Sequence, residues 1–160
     1  MTTGTLSATQ ATPAQLLTFK LDEQDYALDI ANVVQVVRMV AVTRPPNTPE
    51  YVEGMINLRG KVIPVIDTRK RCGLAAQPHD LNTQLLIARA NDRTLALIVD
   101  VVSEVLTLPA DSLESPEAIG VALQHLAAVG KLDDRLLLIL DPNTLLADNE
   151  DIDSLQVAAR

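Results

Sequence analysis

The chain repeats itself. Leu16-Leu17 lies on Leu85-Leu86, Lys20 on Arg89, the turn residues Asp22-Glu23 on Asn91-Asp92, and Ala27-Leu28 on Ala96-Leu97. Asn32 to Val37 then lies on Val101 to Leu106, with no gap from Leu16 onward. Further on, "LRGKVIPVID" lies on "LDDRLLLILD", placing Leu58 on Leu132 and Asp67 on Asp141. A period of roughly 70 residues with order, spacing and turn position preserved indicates duplication rather than two aliphatic hairpins alike by chance. It also limits the fold to two similar units of about half the chain each.

Each unit reads as β structure. "LLTFKLDEQDYALDI" is two apolar runs around a polar turn at Asp22 to Asp25, a hairpin pattern. "NVVQVV" is β-branched and reads as a third strand. "TRPPNTPE" is loop, because its prolines remove backbone donors. A returning strand then ends at Asp67, or at Asp141 in the second unit. Aromatic residues make up 2% of the chain, so the core is built from Val, Leu, Ile and Ala. Units this small, made of short strands, close into barrels to remove their edges. The expected fold is mainly β: two similar five-stranded β-barrel lobes packed together, with a few short helices. Helical turns fit "TRKR" after Asp67, stopped by Gly73, and parts of "SPEAIGVALQHL" and "PNTLLADNEDIDSLQ". The expected divisions are a disordered lead at 1–14, one domain at 15–147 with lobes at about 15–75 and 82–147, and an acidic tail at 148–160.

The net charge of −8 and three aromatic rings argue against nucleic acid, which needs cations and stacking platforms. The N-terminus lacks a charged start and a long apolar stretch, so it does not read as a signal peptide. No apolar run reaches the ~20 residues that span a bilayer. A single cysteine fits a reducing compartment. Together these predict a soluble, cytoplasmic protein without direct membrane insertion.

Residues for chemistry are sparse. His79 and His125 have no His or Cys at ligand spacing, which argues against a metal site, and no cofactor motif is present. Cys72 follows "TRKR", whose charge lowers a thiol pKa; it reads either as a reactive thiol or as a small residue before a capping glycine. "DNEDID" at Asp148 to Asp153 lacks the glycine and distal glutamate of a calcium loop. A small enzyme using Cys72 or the acidic turns would need a convergent pocket that no spacing indicates.

One asymmetry remains. Five of the thirteen Lys and Arg residues fall between Arg59 and Arg71. They either solubilise a helical turn or form a docking patch for an acidic surface. The repeat sharpens Arg59, whose counterpart is Asp133, while Gly60 lies on Asp134. Asn57, Arg59 and Gly60 are thus not demanded by packing common to both units. Gly60 supplies a turn or bulge at positive φ. Pro64 implies an edge-like strand, or a point where the ladder needs no donor.

"VEGMINLRGKVIPVID", preceded by "VTRPPNTPEY" and "VVQVV", strongly resembles the CheW family of bacterial chemotaxis adaptors. The likeness is close over residues 16–71 and looser over about 84–147. It implies two five-stranded barrel lobes and a non-enzymatic adaptor without cofactors. Such an adaptor couples the cytoplasmic tips of chemoreceptors to a CheA-type histidine kinase, within arrays at the inner face of the membrane. A related adaptor of a non-flagellar pathway, controlling pili, development or another output, would read the same. Receptor tips bind family members between the lobes, and the matching positions are Val34, Asn57, Leu58, Arg59 and Gly60. Kinase contacts, on apolar barrel ends, map to no particular residues. One departure concerns Arg59: family members often carry an acidic partner for it where this chain has Val36, so Arg59 is expected to lack an intramolecular partner.

Overall fold

The computed structural model describes residues 12–120 and 124–146. Of the expected lead and tail, residues 1–11 and 148–160 lie outside the described residues. The first unit contains β1 (Ala14–Leu21), β2 (Gln24–Asp29), β3 (Val33–Arg38), β4 (Val52–Leu58), β5 (Lys61–Asp67) and the single turn α1 (Thr68–Arg71). The second contains β6 (Gln84–Ala90), β7 (Arg93–Val99), β8 (Val101–Leu108), β9 (Leu113–Glu114), α2 (Pro116–Ile119), β10 (Leu126–Leu132) and β11 (Arg135–Leu140). The expected fold class, mainly β with two lobes and few short helices, is the one observed.

The lobes are not the two halves of the chain. One sheet has the order β8-β1-β2-β11-β10-β9 and the other β3-β6-β7-β5-β4. Each unit's leading hairpin therefore sits among the later strands of the other unit. The lobe boundaries expected at 15–75 and 82–147 are corrected accordingly. The exchange is symmetric. β1 pairs antiparallel with β8 as β6 does with β3, and β2 lies parallel to β11 as β7 does to β5. Sequence order suggested local pairing, but both faces of the exchanged hairpins are apolar, so a strand reads alike whichever neighbour it takes.

Side-chain alternation shows what the exchange accomplishes. Along β6 and β7, Leu85, Ile87, Ala96 and Ile98 fill their own barrel with Ile56, Ile63 and Val65. The intervening Leu86, Ala88, Leu95, Leu97 and Val99 enter a second core with Leu17, Phe19, Leu21 and Leu28 of the other hairpin. Leu16 and Ala27 fill the first barrel with Leu108, Leu137 and Ile139. The two exchanged hairpins are thus the layer between the barrels, buried on both faces. Truncating one of those fully buried leucines to alanine removes about 2–5 kcal/mol of stability.

Both barrels close in the same way. The chain leaving edge strand β3 comes round to β4, where Thr43 and Met55 exchange backbone hydrogen bonds of 2.8 and 2.9 Å. In the twin, β9 continues the chain of β8 and pairs with β10, Glu114 opposite Val129. That short strand is why one sheet counts six members and the other five. Met55 spends its N–H and C=O on Thr43, so its β5 neighbour Pro64 occupies a position needing no donor toward β4. Parallel pairing with β7 begins one residue later, at Val65. Pro64 is therefore in an interior strand, and its missing N–H costs no ladder bond.

Candidate functional site

Strands β4 and β5 are joined by a two-residue turn. Leu58 and Lys61 face each other across it. Arg59 (φ 53°) and Gly60 (φ 86°) both take positive φ, the pattern of a type I′ hairpin turn whose twist matches the strands. The Asn57 side-chain oxygen accepts the Gly60 N–H at 2.8 Å, fixing the tip. In the twin turn, Asp133 holds φ 55° between Leu132 and Arg135. The strained backbone at Arg59 therefore exists in both lobes, and only the side-chain chemistry differs. Aspartate tolerates the left-handed region and arginine does not, at a cost of about 1–2 kcal/mol. Arg59 is exposed and, among the described residues, makes no ion pair or side-chain hydrogen bond.

The five candidate positions divide by what the fold does with them. Asn57, Arg59 and Gly60 form one exposed tip. Leu58 is half-buried and packs on the barrel core, as its counterpart Leu132 does on the other. Val34 is 49% exposed on β3, the opposite end of the sheet order from β4, and no strand pairing sets it beside the tip. Its repeat counterpart is Ser103, so an apolar side chain facing outward there belongs to one lobe only. Val36 also faces outward, opposite Leu86 in register.

The basic run does not form a patch. Arg69 is 7% exposed; its Nε donates to Asp100 Oδ1 at 2.8 Å and its Nη2 to Asp100 Oδ2, while Nη1 reaches both Asp22 Oδ1 at 2.7 Å and the Ala75 carbonyl at 3.1 Å. The hydrogen bond to Asp100, ahead of the opposing effect of burial, raises its pKa further. Arg71 donates to the Leu145 carbonyl at 2.7 Å and lies 4.0 Å over the Tyr51 ring. Of the five cations, Arg59 and Lys61 alone are exposed. The docking-patch reading contracts to the β4–β5 tip.

The remaining candidates separate clearly. Burial pushes the Cys72 thiol up to about 11, outweighing the opposing charge of Arg71. The thiol is protonated at neutral pH, which favours the small structural residue over the reactive one. His125 Nδ1 lies 3.0 Å from Thr144 Oγ1, and burial, then Arg71, lowers its pKa. His79, which has no His or Cys at ligand spacing in the sequence, faces Asp67 and Glu53. One ligand atom from each of the three lies within 4.8 Å of the others. Sequence spacing could not reveal this group, because β4, β5 and the 74–83 segment meet only in the fold. The helical turn expected after Asp67 is there, and Asp67 caps it, its carboxylate accepting the Lys70 N–H at 3.3 Å.

Comparisons with known proteins agree with this architecture. The family model described as CheW-like domain matches residues 15–150. The chain is 34% identical over 138 residues to the chemotaxis protein CheW of Klebsiella aerogenes, covering 85% of this chain and 83% of that one. The crystal structure of the scaffolding protein TtCheW from Thermoanaerobacter tengcongensis superposes with a TM-score of 0.78 at 36% identity, covering 86% of this chain and 95% of that chain. Protein FrzA of Myxococcus xanthus is 27% identical over 124 residues, covering 76% of this chain and 78% of FrzA.

Proposed function

The chain belongs to the CheW family, and we propose that it is a non-enzymatic adaptor coupling chemoreceptor cytoplasmic tips to a CheA-type histidine kinase in arrays at the inner face of the membrane. The observation that carries this reading is the β4–β5 tip. The left-handed first residue of its turn is repeated in the other lobe, but there an aspartate stands where this tip has an unpaired arginine, at a conformation arginine does not favour. A side chain kept at such a cost, and used by nothing else among the described residues, is explained by a partner. Arginine suits that task because its planar fork holds a carboxylate or carbonyl in one orientation. Asn57 and Gly60 fix the tip, Leu58 anchors it to the core, and outward-facing Val34 supplies an apolar contact on the same barrel. No helix among the described residues is long and apolar enough to cross a membrane, so the arrays would hold the protein through its partners.

A second reading is an adaptor of a non-flagellar chemosensory pathway. The likeness to Protein FrzA, a relative not named for chemotaxis, favours keeping it. Both readings use the same surface and differ in the partner.

The test is a pull-down of the full chain with a CheA regulatory domain and a receptor-tip fragment, at low and high salt. Arg59→Ala is expected to keep its melting temperature and to weaken receptor binding tenfold or more, in the range of a central arginine anchor. An Arg59→Ala protein that unfolds while Asp133→Ala does not would make Arg59 structural. Unchanged receptor binding by a folded variant would remove the tip from the interface.

A further inference from the structure

Glu53 and Asp67 come from adjacent strands, and His79 comes from the segment joining α1 to β6. Glu53 is the extra residue of a bulge, since the β4–β5 register passes from Val52↔Ile66 directly to Gly54↔Val65. Bulges re-aim side chains, and this one turns Glu53 toward His79. Asp67 is 1% exposed; one carboxylate oxygen caps α1, and the other, Oδ2, is buried with no hydrogen-bond partner among the described residues. Leaving a carboxylate oxygen so placed is costly unless something cationic compensates it.

His79 Nε2 lies 3.6 Å from Asp67 Oδ2 and 3.9 Å from Glu53 Oε1. These distances are long for hydrogen bonds. They are close to the ~3.4 Å that separates two ligands on a tetrahedral ion with bonds of about 2.1 Å. Each carboxylate is also held from behind, Asp67 by the Lys70 N–H and Glu53 by Arg44, 3.6 Å from its second oxygen. Ligating carboxylates are typically oriented in this way by outer partners.

We propose that Glu53, Asp67 and His79 form a binding site for a first-row divalent transition cation of the zinc class. Two carboxylates and an imidazole suit such an ion, whereas magnesium and calcium prefer oxygen alone. Three protein ligands leave one position for water. The bound ion ties the 74–83 segment, which carries the chain between the two sequence units, onto the β4–β5 pair.

The test uses the full chain without a histidine tag, stripped with chelator, titrated calorimetrically with Zn2+ and followed in the visible with Co2+. One equivalent is expected, with a tetrahedral Co2+ band and no displacement by excess Mg2+. At a hundredfold excess over the dissociation constant, Zn2+ raises the melting temperature by roughly 5–10 °C. His79→Gln and Glu53→Gln each weaken binding at least tenfold, while His125→Gln leaves it unchanged. Asp67 is spared because it caps α1, and the metal-free melts of both variants verify folding. Absence of one-to-one binding overturns the proposal. So does binding that both variants retain, which would place the ion elsewhere, or a melting shift equal in wild type and His79→Gln, which would leave His79 merely packed beside two carboxylates.

Discussion

Gly54 is where the second barrel closes. It has φ 149°, and a Cβ there would lie 2.3 Å from the Thr43 carbonyl oxygen and 2.6 Å from Val42 Cγ1. The obstruction on one side is backbone that itself forms the closing bridge to Met55, so it cannot move without breaking that bridge. Gly54→Ala is therefore expected to cost about 3 kcal/mol or more, a fall of roughly 10 °C in melting temperature for a domain of this size. Gly60→Ala meets nothing within 4 Å and bears only the positive-φ strain. It should cost about 1 kcal/mol. Thermal melts of the two variants side by side check the ranking, and equal losses would mean that closure tolerates a side chain. Cys72 gives a second residue-scale expectation. Its pKa rises from an ordinary value near 9 to about 11 in the fold, chiefly by burial. The unfolded chain then releases this proton first as pH rises, so the unfolded state binds fewer protons over that window and stability falls from about pH 9 to about pH 11. Cys72→Ser should remove that part of the decline in urea midpoints without altering signalling. A native thiol that reacts at once with a disulfide reagent at pH 8 would contradict its burial.

At the scale of elements, α1 is a single turn that could not persist alone, since helix nucleation needs more residues than it has. Asp67 caps it, and Arg69 projects from it between the Asp22 turn of one barrel and Asp100, at the passage from β7 to β8. Asp100 Oδ2 also accepts the Asp22 N–H at 2.8 Å, so one buried guanidinium organises both turns. Arg69→Met is expected to destabilise by about 2–3 kcal/mol, below the range for a fully buried pair because Asp22 is half exposed. Arg69→Lys should recover less than half of this, because a point charge cannot reproduce the forked contacts. Chemical denaturation of the pair measures it, and full rescue by lysine would reduce the clasp to simple charge. The sequence marked these cations as a group but could not sort them. Arg59 at a turn and Arg69 in a helix are equally basic on paper, and burial is decided by Asp22 and Asp100, distant in sequence. The asymmetry between Arg59 and Asp133 was legible because the repeat supplied an internal control. The shared left-handed backbone beneath it was not, since an arginine gives no sign of a positive φ.

At the scale of the whole molecule, the strands, their turns and the duplication were legible because they rest on local alternation and on a period that survives in apolar positions. Connectivity was not, for the reason visible along β6 and β7: every residue from Leu95 to Val99 is buried, alternately in the barrel and in the layer between barrels. Such a pattern says that both faces are covered and is silent about by what. The exchange has a consequence for folding. A fragment of residues 1–76 contains the β1–β2 hairpin but lacks β8 and β11, its two neighbours, and leaves Leu17, Phe19, Leu21 and Leu28 without the hairpin they pack against. The fragment 77–160 is deprived in the mirror sense, with β6 and β7 cut off from β3 and β5. Neither is expected to fold as a monomer, whereas an equimolar mixture should recover β structure and a cooperative melt. The pseudo-symmetry adds a sharper expectation. A second copy of the same fragment offers strands in nearly the arrangement of the missing ones, so any folded form of one fragment alone should be a dimer that exchanges hairpins. Sedimentation with circular dichroism distinguishes these outcomes, and a monomeric fragment that melts cooperatively would show that each sequence unit can close its own barrel after all.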